Sequence, residues 1–429
     1  MQTVKLAIAG FGTVGTGLAR IIEENKDVIF ARCGKKFSIT SVLVRDLNKQ
    51  RDYFPGPDVK FTNDLDEFTS SPDVDIVVEL MGGTTVAKDI VTKALEAGKH
   101  VVTANKHLLA EHGIELFEIA AKNNVGLYYE SSVAGGIPII QSIKESLAAN
   151  RIKSIVGILN GTANYILSEM STNGLEFDTA LEQATRLGYA EADPTFDIEG
   201  IDAAHKVVVL TRIAYGKDYP LAKLPVEGIT RIEGQDIRFA REFGYRIKLI
   251  GQVRDVGGKL EAGVFPALVK YTLLLARVGG NYNAIRVEGN AVGPAFFHGQ
   301  GAGSLPTGSA VLADIMALSK TDTPDNTGFC NAPIEKADIL APEFATSEYY
   351  FRFSVMDKAG VMAALSKCLA EHNISIAQAV QKGNPDDKEI PVVFTTHKAS
   401  TKDVNSALAE IDKMPFITRK TLSMRILKG

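Results

Sequence analysis

The feature that most constrains the fold is a glycine turn at a fixed place. Gly10-Phe11-Gly12-Thr13-Val14-Gly15 follows the apolar run Leu6-Ala7-Ile8-Ala9 and opens a helical stretch, with Gly17 just beyond. Glycines at this spacing permit a tight turn after a buried strand. They also let the backbone approach a pyrophosphate, which then sits at the N-terminus of the following helix. Position and context point to dinucleotide binding by all six residues, Gly10 to Gly15. The competing reading is a glycine turn that serves only strand–helix packing.

The next hundred residues continue the same grammar. Apolar segments at 4–9, 38–44, 74–79, 100–103 and 127–130 read as strands, and 15–25, 90–97 and 114–123 read as helices. Such alternation predicts a parallel sheet with right-handed crossovers, a Rossmann-type domain over 1–130. From about Ser131 the pattern changes. Helices are expected at 138–147, 178–187 and 202–214, and strands near 248–254 and 264–269, followed by a glycine cluster at 279–303. This predicts a mixed catalytic and dimerisation domain over 131–304. The Ala-, Leu- and Met-rich helix at 308–318 is placed back against the first domain, so 305–320 is assigned to it. A polar, proline-rich linker follows at 321–347. The segment 348–429 reads strand, helix, strand, strand, helix, strand, a ferredoxin-like unit. The fold class is therefore α/β combined with α+β, in several domains.

Bulk properties exclude some roles. At 429 residues the chain is long enough for two or three domains, and 45% hydrophobic with 23% charged residues is ordinary for a globular protein. A net charge of -4 offers no reason to expect nucleic acid or an anionic membrane as partner. Cys33, Cys330 and Cys368 are odd in number and far apart, which argues against a disulfide framework. The N-terminal apolar run is too short for a signal peptide and no run spans a membrane, so a cytoplasmic location is expected.

Chemistry is concentrated at Gly188-Tyr189-Ala190-Glu191-Ala192-Asp193-Pro194, with Asp197, Asp202 and Lys206 after it and the apolar run 207–210 beyond. Charges beside an apolar run are expensive unless paired or solvated. Asp202 and Lys206, four residues apart, share one face of a helix. Glu191 lies in the Pro-containing loop before that helix. Two acids and a lysine suit a small substrate that carries an amine and needs a proton moved. A plain helix salt bridge between Asp202 and Lys206 is the competing reading. Asp193 and Asp197 serve equally well as helix caps, and His205 points about 100° away from Lys206 around the helix, toward packing.

Two strand ends complete the nucleotide side. The second strand ends at Val44-Arg45-Asp46, where a ribose reader is usually acidic. Arg45 instead suits a 2′-phosphate, so NADP is expected, while Asp46 leaves NAD open. Glu79-Leu80-Met81-Gly82-Gly83-Thr84 and Thr103-Ala104-Asn105-Lys106 end two further strands, at the side that faces the ligand crevice in such sheets.

These motifs, together with Tyr129-Glu130-Ser131-Ser132-Val133-Ala134-Gly135-Gly136-Ile137-Pro138 and Asn160-Gly161-Thr162-Ala163-Asn164-Tyr165, make the chain resemble homoserine dehydrogenase along nearly its whole length. The resemblance implies that Lys206 donates the catalytic proton. It also implies that Asp202 and Glu191 hold the substrate's amino end and orient the site, and that Lys106 stands near the nicotinamide and substrate. Thr84, Gly301 and Gly303 match further cofactor contacts. Glu130 with the carbonyls of Val133, Gly135 and Ile137 matches a monovalent-cation site, usually sodium, in a structural role. The implied substrates are L-homoserine and L-aspartate 4-semialdehyde, in threonine, methionine and isoleucine biosynthesis, and the implied assembly is a homodimer or homotetramer. No kinase segment precedes the glycine turn, so a monofunctional enzyme is expected. The tail resembles an ACT domain, with Asp357, Gly360, Asn373 and Ile374 at effector-contact positions and threonine as the implied effector. A tail that only dimerises is the competing reading. Two departures stand out: Ala359 replaces the usual proline before Gly360, and Phe265-Pro266 replaces the usual His-Pro pair.

Overall fold

The glycine turn does open the helix that the sequence predicts, and a sheet forms around it. The computed structural model describes residues 2–51, 53–330, 332–383 and 388–428. Contacts divide the chain into a first unit of Met1–Lys153, Asp202–Lys223 and Tyr282–Ala337, and a second of Ser154–Ile201, Leu224–Asn281 and Asp338–Gly429.

The first unit holds six strands in the order Lys60–Thr62, Lys36–Leu43, Thr3–Ala9, Ile76–Glu79, His100–Thr103 and Leu127–Tyr128. Every pair is parallel, the doubly wound Rossmann order with the first strand central. The strand order reverses between Thr3–Ala9 and Ile76–Glu79, so the crevice outside their C-terminal ends is the expected ligand position. Leu6, Ile8, Val42, Ile76, Val78 and Val102 form the core on one face together with Leu18 of the Thr13–Glu24 helix.

The Ser304–Leu318 helix joins that core through Val311, Leu312, Ile315 and Leu318. Its crossing on the Thr13–Glu24 helix depends on two glycines. A Cβ at Gly17 would stand 2.2 Å from the Ser304 carbonyl oxygen, and one at Gly308 2.8 Å from the Leu18 nitrogen. The glycine cluster at 279–303 proves to hold an antiparallel hairpin, Tyr282–Gly289 with Gly293–Gln300. The helix expected at 138–147 is an α-turn, Ile139–Gln141, that widens into a π-turn at Ser142–Ser146.

The strand Tyr245–Val256 pairs antiparallel with Ile152–Ile158 on one side and with Lys259–Lys270 on the other. The C-terminal part forms the expected βαββαβ unit. Its strands order as Ile417–Leu427, Thr346–Val355, Ile390–Thr396, Ile376–Gln381, a ferredoxin-like arrangement. Phe351, Phe353 and Phe394 pack there against Leu365, Leu369 and Ile411 of its two helices. This sheet is not separate. Ala267, Leu268 and Val269 pair in parallel with Arg425, Ile426 and Leu427, making one continuous surface. Phe265 finds its reason here, because the Arg425 guanidinium lies over its ring at 4.4 Å. A buried ion network reinforces the join: Arg352 Nε donates to Asp236 Oδ1 at 2.7 Å, as does the Tyr350 hydroxyl at 2.9 Å.

Candidate active site

Helix geometry delivers the central pair. Asp202 and Lys206 lie on the Ile201–Tyr215 helix, one turn apart, and Lys206 Nζ donates to Asp202 Oδ2 at 2.7 Å. The other carboxylate oxygen is also engaged: Lys106 Nζ stands 3.0 Å from Asp202 Oδ1. The Asp202 and Lys206 side chains are each 9% exposed, whereas Lys106 is 40% exposed. One buried carboxylate is thus shared by two lysines, of which Lys106 is the more accessible. Such a cluster is suited to an oxygen that gains negative charge. Lys106 is the first residue of the Lys106–Lys122 helix, capped by Asn105, and it follows the strand His100–Thr103, so the sheet itself places it at the crevice.

His205 packs, as its helical position predicts. Its ring stacks on His107 at 4.6 Å with an interplanar angle of 10°. Burial, reinforced by the neighbouring His107, pulls its pKa down to about 4. The motif acids divide. Asp193 accepts from the Thr195 amide at 3.1 Å, just before the Thr195–Ile198 turn whose N-cap is Pro194, and Asp197 accepts from Asn160 Nδ2 at 2.6 Å. Glu191 is exposed in the loop after the Phe177–Arg186 helix, in the second unit.

The nucleotide turn has the form a dinucleotide requires. Gly10 adopts φ +96°, and a Cβ there would meet the Leu80 carbonyl oxygen at 2.8 Å. Gly12 is the N-cap of the Thr13–Glu24 helix with no side-chain cap, and a Cβ on it would enter open space. Helix N-terminal amides left without a side-chain cap suit an anion. Thr13 is exposed and Val14 half-buried, while the Phe11 side chain is buried against Phe61, so Phe11 offers a ligand its backbone. Arg45 stands exposed beyond the second strand, whereas Arg51 folds over the Phe61 ring at 5.3 Å. Thr84 is the N-cap of the Thr85–Glu96 helix. Gly303, at φ +126°, is the N-cap of the Ser304–Leu318 helix.

Gly301 and Gly135 meet: a Cβ on Gly135 would stand 2.5 Å from the Gly301 carbonyl oxygen. Two predicted sites, assigned separately, therefore share one piece of backbone. Ala134 and Gly135 both adopt left-handed φ, 55° and 51°. Glu130 is buried, and its carboxylate accepts from the Ile140 and Gln141 amides at 2.9 and 2.7 Å; burial pushes its pKa up. The Ile137 carbonyl accepts from the Ile139 amide. Among the described residues the buried Val133 and Gly135 carbonyls accept no hydrogen bond. Oxygen donors left unmatched in a buried loop fit a hard cation.

In the C-terminal unit, Gly360 caps the Val361–Glu371 helix at φ +93° and Asn373 ends it at φ +59°. Asp357 is exposed, 3.4 Å from Gln381 Nε2, and Ile374 is buried. The sequence places the strand ends at Glu79 and at Thr103–Lys106 beside the crevice but gives Glu79, Thr103 and Asn105 no role of their own. The signal for Glu79 was an acid closing the otherwise apolar strand Ile76–Glu79.

Comparison with known proteins agrees along the chain. Homoserine dehydrogenase family models match residues 138–316 for the catalytic domain and 10–130 for the NAD-binding domain, and an ACT domain matches 349–416. The homoserine dehydrogenase of Neisseria gonorrhoeae is 42% identical over 432 residues, 99% of each chain. That of Pseudomonas aeruginosa is 40% identical over 433 residues, again 99% of each. A crystal structure of a homoserine dehydrogenase from Thiobacillus denitrificans superposes with a TM-score of 0.92 at 40% identity, covering 100% of this chain and 99% of that one. A hyperthermophilic archaeal homoserine dehydrogenase, solved in complex with NADPH, aligns with 74% of this chain and 98% of its own at TM-score 0.62 and 29% identity. With a Rossmann nucleotide domain, a buried acid shared by two lysines and a C-terminal ACT domain, the chain belongs to the homoserine dehydrogenase family, oxidoreductases acting on a CH–OH group.

Proposed function

We propose that the chain interconverts L-homoserine and L-aspartate 4-semialdehyde with NADP in preference to NAD, Lys206 moving the proton. The observation that carries this is the Asp202 carboxylate held between Lys206 at 2.7 Å and Lys106 at 3.0 Å. The nicotinamide, when bound, supplies or accepts the hydride. Lys206 gives a proton to the substrate oxygen in reduction and takes it in oxidation. Its ammonium and that of Lys106 stabilise the developing alkoxide. Asp202 holds both lysines in register. Glu191, by charge and by its place in the matched motif, is assigned the substrate ammonium.

The amides at Gly12 and Thr13 are assigned the pyrophosphate, and Arg45 the 2′-phosphate. Glu130 with the Val133, Gly135 and Ile137 carbonyls is assigned a structural sodium ion. The ACT domain is assigned threonine as feedback effector, through Asp357, Gly360, Asn373 and Ile374. A homodimeric or homotetrameric assembly in the cytoplasm, serving threonine, methionine and isoleucine synthesis, completes the reading. The domain boundaries proposed for it are 1–130 with 305–320, 131–304, 321–347 and 348–429.

Oxidation of the same semialdehyde would need a nucleophilic thiol. Cys368 lies in the C-terminal core, where burial pushes its thiol up to about 11, and Cys33 donates to the Ile29 carbonyl. Neither of these two is a poised nucleophile, and the third, Cys330, is exposed in the segment 321–347. The test is to follow reduced-nicotinamide formation from L-homoserine with NADP and NAD separately, with and without threonine. Turnover that is faster with NADP and lowered by threonine is expected. No turnover with either cofactor, despite tight dinucleotide binding, would overturn the reading.

A further inference from the structure

Glu79 is an unusual residue for its place. It closes the strand Ile76–Glu79 and is 0% exposed, where any apolar side chain would continue the core. Among the described residues no lysine, arginine or histidine pairs with it. A buried carboxylate without a cation is expensive and persists only where donors compensate it.

The donors are present and form a closed ring. Glu79 Oε2 accepts from Thr103 Oγ1 at 2.6 Å, across the pair of neighbouring strands on which the two residues are register partners. Glu79 Oε1 accepts from the Met81 amide at 2.7 Å and the Gly82 amide at 3.2 Å. Thr103 Oγ1 accepts in turn from the Asn105 amide at 3.0 Å. Asn105 Nδ2 donates to the Gly83 carbonyl at 2.7 Å, and Asn105 Oδ1 accepts from the Leu108 amide at 3.0 Å, capping the helix that begins at Lys106. Gly82 and Gly83 adopt φ of 75° and 72°, so the turn has a shape that only glycine enters readily. Burial pushes the Glu79 pKa up, and each contact on the carboxylate comes from a donor that opposes this. The Thr85–Glu96 and Lys106–Lys122 helices begin just after the Gly82–Gly83 turn and Asn105 that these bonds tie together, and helix N-termini favour negative charge.

We propose that Glu79 is a positioning residue for the reaction: it locks the Met81–Gly83 turn to the Asn105 cap and so sets where Lys106 stands against Asp202. Glu79 acts through Thr103 and Asn105. The inference rests on the reading of Lys106 as a group at the reacting end of the substrate.

The test uses the full-length enzyme with Glu79→Gln, Thr103→Val, Thr103→Ser and Lys106→Ala. Thr103→Val keeps the β-branched shape of a strand residue and removes only the hydroxyl. Steady-state homoserine oxidation is measured per folded molecule, with melting temperature recorded beside it. Glu79→Gln and Thr103→Val are expected to raise the KM for homoserine and lower kcat/KM by about 10- to 100-fold, the scale of a misplacement near 1 Å. Thr103→Ser restores both. A merely structural role would lower melting temperature and active fraction while leaving KM unchanged, and that result overturns the proposal. So does a Thr103→Ser enzyme as impaired as Thr103→Val. If Lys106→Ala is silent, the reading of Lys106 fails and the proposal falls with it. If Lys106→Ala is impaired while Glu79→Gln and Thr103→Val are not, the proposal alone fails.

Discussion

Replacing His205 with phenylalanine should flatten the acid side of the stability curve. The imidazole is 3% exposed on the helix that carries Asp202 and Lys206, and it stacks on His107. Burial and then His107 lower its pKa from 6.5 to about 4. The folded state therefore keeps it neutral, while the unfolded chain binds a proton as pH falls below about 6.5. A group with a depressed folded pKa contributes stability that is complete above the unfolded value and is lost as pH falls toward the folded one. At about pH 5 the unfolded imidazole is almost fully protonated and the buried one is not, so the loss is roughly 2 kcal/mol. Phenylalanine preserves the stack and the volume but takes up no proton. Urea unfolding of both proteins at about pH 8 and about pH 5 gives the comparison, and the drop between the two should be smaller by about 2 kcal/mol in the variant. An equal drop in the two proteins would refute the reasoning and show that His205 is protonated in the fold as readily as in the open chain.

Arg45→Ala should weaken NADP binding by about 10- to 100-fold and leave NAD binding nearly unchanged, as expected for a charge-assisted contact to a phosphate; dinucleotide titrations by fluorescence check this. Arg352→Ala should destabilise the C-terminal half by about 3–5 kcal/mol, because it strands Asp236, which is 0% exposed, with a charge. Differential scanning calorimetry would show the lower transition.

The sequence was informative where one local signal sufficed. The glycine turn at 10–15 and the alternating apolar runs around it predicted the parallel sheet. The phases of the last eighty residues predicted the βαββαβ unit, because three of its strands have buried positions and each helix an apolar stripe. Asp202 and Lys206 were legible together because a four-residue spacing puts them on one helical face. What escaped depends on partners distant in sequence. The pairing of Ala267–Val269 with Arg425–Leu427 joins strands more than 150 residues apart, and Phe265 looked anomalous until Arg425 was seen over it. The hairpin at 282–300 was hidden because its glycines suggested turns rather than strands. Lys106 was expected near the substrate, yet its sharing of Asp202 with Lys206 has no trace in spacing. The meeting of Gly135 with Gly301 likewise arises only from the fold.

The most direct test of the account is the turnover of Lys206→Met with L-homoserine and NADP, measured beside its dinucleotide affinity. The account predicts that kcat falls by about 10²–10⁴-fold, the usual loss when a positioned acid–base group is removed, with cofactor affinity unchanged. Turnover close to that of the unaltered enzyme would contradict it, and Lys206 would then be a buried partner of Asp202 and nothing more.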